Sequence, residues 1–513
     1  MNPLSRTIAR NAFIVSAATM LSRVLGLVRD LVTAFVLGAG PLADAFFAAF
    51  RLPNLLRRLF AEGSLTIAFI PVFTRVRREQ GPEAAFSLAR TVQFWLLLIL
   101  GCIVLLALVF ARPLTMAVAY GFMDKDPEIF EFTITLVRIC FPYILFISAA
   151  ALSMGILNSL GHFLYPALAP SLLNVILIAA ALAGHLAGWN LALCLAVGVL
   201  FAGAAQWLFQ QPALARQGFT WSGPWKPGGK EIRRIGWLML PSVFGASVYQ
   251  LNIVLSTLLA SLLPFGSITY LYYADRLVQF PLGIFGIAIS TAALPSLSSV
   301  SENIEEFKSI LNGAIGLTLF VSLPSAAGLM ALAGPIIGIL FGRGAFSPDA
   351  VEATAQALVA FSVGLPAISC IRSLASAFYA REDTRTPVII AAACLVMNVG
   401  LGYLLMQHMA HVGLALAASI SAWANVLLLA WSLHRKVGAW LSLKGRFLTM
   451  LVLSALVYAG ASLTAASPLL ALFLIPVWSA LYLWLALKIG LEEADLTWSA
   501  CSRVLRKKGA TPQ

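Results

Sequence analysis

Three ionisable side chains stand where hydrocarbon is expected. The run from Asn11 to Gly38 has the length and apolar character of a membrane-spanning helix, yet its segment SRVLGLVRD carries Arg23, Arg29 and Asp30. At about 100° per residue, Thr19, Ser22, Arg23, Gly26, Arg29, Asp30 and Thr33 fall within an arc of roughly 120°. Leu21, Val24, Leu25, Leu27, Val28, Leu31 and Val32 cover the remainder. An ionisable residue at the centre of a spanning helix costs about 2.5–3.5 kcal/mol on insertion scales, so such residues face a cavity or a partner. The second apolar run, ADAFFAAFRLPNLLRRLFAEGS, repeats the pattern with Asp44, Arg51, Arg58 and Glu62, spaced 7, 7 and 4. An unbroken helix would put these four on one side. Pro53 removes a backbone donor and predicts a kink, which leaves the phase beyond it open. Arg57 lies off that line, and Arg58 with Glu62 at i, i+4 forms a self-neutralising pair. A third run, YYADRLVQFP, holds Asp275 and Arg276. Arg138 and Arg372 are further candidates, evenly balanced between cavity and helix interface.

Arginine stays protonated and grips phosphate bidentately. An excess of arginine over acid therefore suits an anionic, phosphate-bearing ligand and not a cationic drug. The competing reading of the first run is a structural Arg–Asp pair buried between helices. Recurrence of the pattern on other helices favours the cavity.

These residues need elements to hold them. The 513-residue chain is 60% hydrophobic and 11% charged, with a mean hydropathy of +0.91. A soluble domain would carry roughly a quarter charged residues, so the composition predicts an all-α polytopic membrane protein. Fourteen spans are expected, near 11–37, 44–73, 88–111, 129–155, 163–184, 189–210, 233–260, 266–294, 307–332, 349–378, 386–407, 412–433, 447–466 and 469–489. The segments holding Arg6 and Arg10, Arg75 to Arg78, Lys226 to Arg234, Arg381 and Arg385, Arg435 to Arg446 and Arg503 to Lys508 alternate with loops poor in lysine and arginine. That asymmetry predicts both termini in the cytoplasm. It also accounts for the net charge of +13 without nucleic acid.

Pro71 and Pro295, Pro142 and Pro366, and Asn174 and Asn398 are each 224 residues apart. The common spacing predicts two six-helix lobes in parallel orientation, which places a substrate site between the repeats near the midplane. The expected organisation is a first lobe over 1–211, an interfacial cytoplasmic linker over 212–232, a second lobe over 233–434, and two extra helices with a basic tail over 435–513. Arg276, 224 residues after Leu52, then matches the depth of Arg51.

The six cysteines stand singly, mostly in apolar runs, and predict neither disulfides nor a metal site. The five histidines lie at loop edges, most of them solvated, and form no catalytic constellation. No P-loop occurs, so no ATP-driven motor is encoded. The first apolar run is too long for a signal peptide core and reads as a retained span.

At SRVLGLVRD, ADAFF, RLPNLLRRLFAEG, FPYI and YYADRLVQFP the chain resembles the MurJ (MviN-type) lipid II flippases of the MOP exporter superfamily. The resemblance covers essentially the whole chain, and NLLRRLFAEG is a specific match. It implies two six-helix lobes plus two C-terminal helices that form a groove for a long lipid tail. It implies flipping of the undecaprenyl-pyrophosphate-linked peptidoglycan precursor across the bacterial inner membrane by alternating access, without catalysis. Arg23, Arg29, Arg57 and Arg276 would contact the head group. Asp30, Asp44, Arg51 and Asp275 would gate or pair charges. Some relatives bind sodium through an aspartate in the seventh span; here that span has no acid, and such a site is not expected. No cofactor is implied, and the membrane potential is the expected energy source. Expected partners are lipid II, membrane phospholipid and the peptidoglycan-synthesis machinery, and the expected state is a monomer. The rivals are an oligosaccharide-lipid or multidrug exporter of the same superfamily, and an intramembrane glycosyltransferase, for which the outer loops are too short. A scaffold role leaves the buried arginines unexplained.

Overall fold

A computed structural model describes residues 3–61, 64–442 and 444–509; the side chains of 3–12, 60–61, 64, 67, 241–246, 284–285, 287, 444, 500–501 and 503–509 fall outside the description. Glu62, and the side chains of Arg6, Arg10 and the basic set 503–508, therefore lie outside it. The described residues are helical throughout, with no strand. In order the helices are α1 (Pro3–Leu37), α2 (Pro41–Leu56), α3 (Ser64–Gln80), α4 (Pro82–Val109), α5 (Ala111–Lys125), α6 (Pro127–Cys140), α7 (Tyr143–Ser159), α8 (Leu164–Ala187), α9 (Leu191–Leu208), α10 (Gln211–Arg216) and α11 (Lys230–Ser261). There follow α12 (Ser267–Pro281), α13 (Ile287–Ser299), α14 (Ile304–Ala331), α15 (Ala333–Phe341), α16 (Pro348–Ala380), α17 (Arg385–Val437), α18 (Lys444–Thr464), α19 (Pro468–Phe473), α20 (Ile475–Ile489) and α21 (Glu492–Gly509).

Local chemistry sets many of these ends. Asp126 accepts from the amides of Glu128 and Ile129 and starts α6, and Asn190, Asn303 and Ser347 do the same for α9, α14 and α16. Gly188 and Gly490, both left-handed, end α8 and α20.

Eight helical stretches among the described residues are long and apolar enough to cross a bilayer. Every expected span coincides with helix, but the count of fourteen is not reached by that measure. Arg23, Arg29 and Asp30 charge the middle of α1, and the second and eighth spans are broken. Each break is a π-helical segment, Arg57–Ala61 and Leu282–Gly286. Their starts are 225 residues apart, one more than the repeat spacing. The expected eleventh and twelfth spans run together as α17, whose path is broken at Ala410 with φ of 47°.

The chain forms two compact units. The first is Met1–Thr269 with Gly344–Phe346. In it α1 packs on α8, α2 on α6, and α3 on α4 and α7, around a core that includes Phe69, Phe73, Phe86 and Leu152. The repeat spacing begins the second half at 233, yet α11 packs in this first unit, on α3 and α5. The approach to α5 is close: a Cβ added at Gly121 would lie 2.2 Å from the carbonyl oxygen of Ser261. Repeat boundaries record sequence similarity and unit boundaries record packing, so the two differ here.

Within the first unit the segment between α10 and α11 is tied to α4. Arg90, 7% exposed, donates to the carbonyls of Thr220 at 2.7 Å and Pro224 at 3.2 Å. The Trp95 indole donates to the Pro227 carbonyl, and Trp225 stacks on Phe94. The second unit centres on α14, α16 and α17, with α18, α20 and α21 completing the same core. Arg446 of α18 binds Glu492 and the buried Glu493 of α21, fixing the start of that helix.

Candidate functional site

The polar face expected on α1 is present and divided. Arg29, Asp30 and Thr33 are buried, at 9%, 5% and 4% exposure, while Thr19 and Arg23 are exposed. Arg29 Nη2 and Nε donate to one Asp30 oxygen at 2.6 and 3.1 Å. Arg29 Nη1 donates to Asn174 Oδ1 of α8 at 3.1 Å, and Asn174 Nδ2 donates to the Ser22 carbonyl at 3.0 Å. Asn174 thus joins both turns of the polar face, opposite Gly26, where a Cβ would stand 3.7 Å from its Nδ2. The site reading missed this residue, although one polar amide in the apolar run LLNVIL was its signal.

On the second span, α2 continues helically past Pro53 to Leu56, and regular hydrogen bonding gives way four residues beyond the proline, at the π segment starting with Arg57. The helix is redirected there rather than at Pro53, and the 7, 7, 4 phase fails because a π turn takes more residues than an α turn. Arg57 is half-buried, its Nε donating to Asn54 Oδ1 at 3.0 Å; Arg51 is half-buried in α2.

Asp44, 1% exposed, accepts from the Gly266 amide at 2.7 Å, the Thr269 amide at 2.9 Å and the Thr269 hydroxyl at 2.6 Å. It is engaged by the N-terminus of α12 and not by an arginine side chain. An anion at a helix N-terminus is stabilised by the amides and the helix dipole. Lys125, which the site reading did not single out, completes the arrangement from the other sign. Its Nζ donates to the Ser261 carbonyl at 2.6 Å and to that of Leu263, at the C-terminus of α11. Burial pushes the Lys125 ammonium below its ordinary range, and the Asp44 charge partly opposes that shift. The turn between α11 and α12 is therefore held by a cation at one helix end and an anion at the other.

In the second unit Arg276 is half-buried on α12. It donates through Nη2 to the Tyr272 hydroxyl at 2.9 Å and lies 5.0 Å over that ring, a cation–π contact. Asp275 accepts from Gln279. Arg138 and Arg372 are exposed on α6 and α16. The structure thus brings Arg29, Asp30, Asn174 and Ser22 together, and places Arg57, Asp44 and Arg276 in separate local networks. Among the described residues no cluster of three metal-ligating side chains occurs, and the described cysteines are unpaired.

Multiple apolar spans, buried ionisable side chains within them and a helical two-unit fold define a multi-pass membrane transporter. A solved inward-facing multidrug resistance MATE family transporter of the MOP superfamily shares that fold, with a TM-score of 0.65 at 16% identity over 83% of this chain and 98% of that one. The family model described as lipid II flippase MurJ matches residues 33–485, and the chain belongs to that family. It is 39% identical to the probable lipid II flippase MurJ of Vibrio cholerae over 446 residues, 84% of each chain. It is 38% identical to the lipid II flippase MurJ of Burkholderia cenocepacia over 462 residues, covering 87% of this chain and 88% of the relative. A solved lipid II flippase MurJ in an inward closed conformation superposes with a TM-score of 0.76 at 27% identity, over 92% of this chain and 98% of that one.

Proposed function

We propose that this protein flips lipid II, the undecaprenyl-pyrophosphate-linked peptidoglycan precursor, from the cytoplasmic to the outer leaflet of a bacterial inner membrane by alternating access. The observation that carries the reading is the family match across residues 33–485. It is a transport function; no bond is made or broken. The arginine chemistry agrees: Arg23, Arg29, Arg57 and Arg276 are assigned to the diphosphate, because guanidinium forks match phosphate oxygens. Asp30 and Arg51 are assigned to charge pairing when no substrate is bound, Asp44 to holding the α11–α12 turn, and Asp275 to orienting the Arg276 helix. The helices α18 and α20 are assigned to the lipid tail.

The energy source in this reading is the membrane potential, worth about 2.3 kcal/mol per charge per 100 mV, inside negative. A diphosphate moving outward and an arginine-bearing empty carrier returning inward both run down that field. Basic loops on one side assign both termini to the cytoplasm, and the protein is taken to act as a monomer beside the peptidoglycan-synthesis machinery. The testing experiment is flipping of purified lipid II in proteoliposomes, with a cationic-drug efflux assay in parallel. Drug efflux without lipid II movement would transfer the protein to the multidrug branch of the superfamily.

A further inference from the structure

Near the C-terminal end of α3, Pro71, Thr74, Arg75, Arg78 and Glu79 line an open cavity of about 650 Å³. Arg75 and Arg78, three residues apart, are neighbours on the helix surface. The Nε of Arg75 is buried with no hydrogen-bond partner. Among the described residues neither arginine forms an ion pair, although Glu79 stands on the same wall. Cations at a helix C-terminus complement its dipole, which accounts for the charge but not for a buried donor left unmade. An acceptor with several oxygens in the cavity would satisfy that donor, and the Nε–Nη edge of a guanidinium is a fork shaped for phosphate. Arg75 is 18 residues beyond Arg57, up to roughly 27 Å along a helix path, so this is not the Arg57 network.

We infer that the α3 cavity is a second phosphate-binding site, at the cytoplasmic end of the second span, where Arg75 and Arg78 hold the phosphate of a lipid head group or a free diphosphate. The inference rests on the flippase reading only for the membrane side and for an isoprenoid diphosphate as one source of that phosphate. The probe is arginine modification by phenylglyoxal, read peptide by peptide with mass spectrometry on the full chain in neutral phosphatidylcholine nanodiscs. Inorganic diphosphate, geranyl diphosphate and phosphatidylglycerol nanodiscs are the three arms. Modification of Arg75 and Arg78 should slow about tenfold in at least one arm at ligand about ten times its Kd. Arg77, exposed on the same helix and off the cavity wall, should keep its rate. R75Q should remove the protection of Arg78, and R29A should leave protection intact. Slowing by diphosphate alone assigns free phosphate, by geranyl diphosphate alone an isoprenoid lipid, and by phosphatidylglycerol a phospholipid. No slowing in any arm, equal slowing by sodium chloride, equal slowing at Arg77, or loss of protection in R29A overturns the site. Lipid II flipping is scored separately, so protection without flipping sinks the transport reading and leaves this site standing.

Discussion

Arg29 is where structural and functional demands meet. Its guanidinium is buried against Asp30 and Asn174, so a simple alanine variant would strand the Asp30 charge and cost about 3–5 kcal/mol for that reason alone. The informative variant removes both charges. Replacing a buried pair by apolar residues is often neutral or stabilising by about 1–4 kcal/mol, so Arg29→Leu with Asp30→Leu should fold and insert normally. If Arg29 meets the substrate, that double variant will not support growth in a complementation assay with membrane abundance matched; full growth would reduce the pair to a structural one. Asp44 makes a different demand. Asp44→Ala leaves the Gly266 and Thr269 amides and the Thr269 hydroxyl without their acceptor. Thermal unfolding in detergent should show a loss of about 2 kcal/mol, with Asp44→Asn intermediate because one acceptor oxygen remains. An unchanged alanine variant would mean water replaces the carboxylate at no cost.

Helices meet one another here through small residues and closed ends. At Gly121 any side chain would meet the Ser261 carbonyl, so Gly121→Ala should force α5 away from α11 and destabilise by about 3 kcal/mol, visible as a lower unfolding temperature. The two ends of α17 also meet. Asp383 accepts from the Thr386 amide at 3.0 Å, at the start of the helix, and from Lys436 near its end. Partial burial raises the Asp383 pKa, and hydrogen bonds from Lys436 and Thr386 outweigh that, holding the carboxyl below the usual range. A depressed carboxylate contributes stability that is present above its unfolded pKa of about 3.9 and is lost as pH falls through the folded value. Lys436 is 44% exposed, so the contribution is under about 1 kcal/mol. Hydrogen exchange at the Asp383–Thr386 amides should therefore be constant from neutrality to about pH 5 after correction for intrinsic rates, and accelerate below about pH 4. Asp383→Asn should abolish that acid dependence; retention of it would assign the effect to another group.

For the whole molecule, the decisive question is what drives the cycle. The potential reading predicts flipping in liposomes clamped by valinomycin and potassium with no sodium or pH gradient, and a rate that rises with an inside-negative potential. A carrier moving a net charge equal to one through half the field gains about 1.2 kcal/mol per 100 mV, close to an eightfold change at equilibrium. A rate and an inward-facing population that ignore the potential would rule this coupling out.

Composition and charge placement were enough to specify a helical membrane protein, because hydrocarbon admits few other backbones and taxes every charge. The 224-residue spacing marked a repeat, and the polar arc on α1 marked Arg29, Asp30 and Thr33, since helical phase survives wherever a helix is unbroken. Phase did not survive on the second span, where the π segment begins at Arg57 and not at Pro53. Nor did periodicity distinguish the buried Arg29 from the exposed Arg23, because burial depends on what packs opposite, here Asn174, which is 145 residues from Arg29 in the chain. Asp44 read as a partner for arginines and is instead the acceptor for backbone amides 222 and 225 residues away. Lys125 carried no signal at all in its loop. A backbone amide or carbonyl is the same in every residue type, so a charge that binds one leaves no mark in the sequence; only the fold, by bringing the ends of α11 and α12 to Lys125 and Asp44, determines that partner.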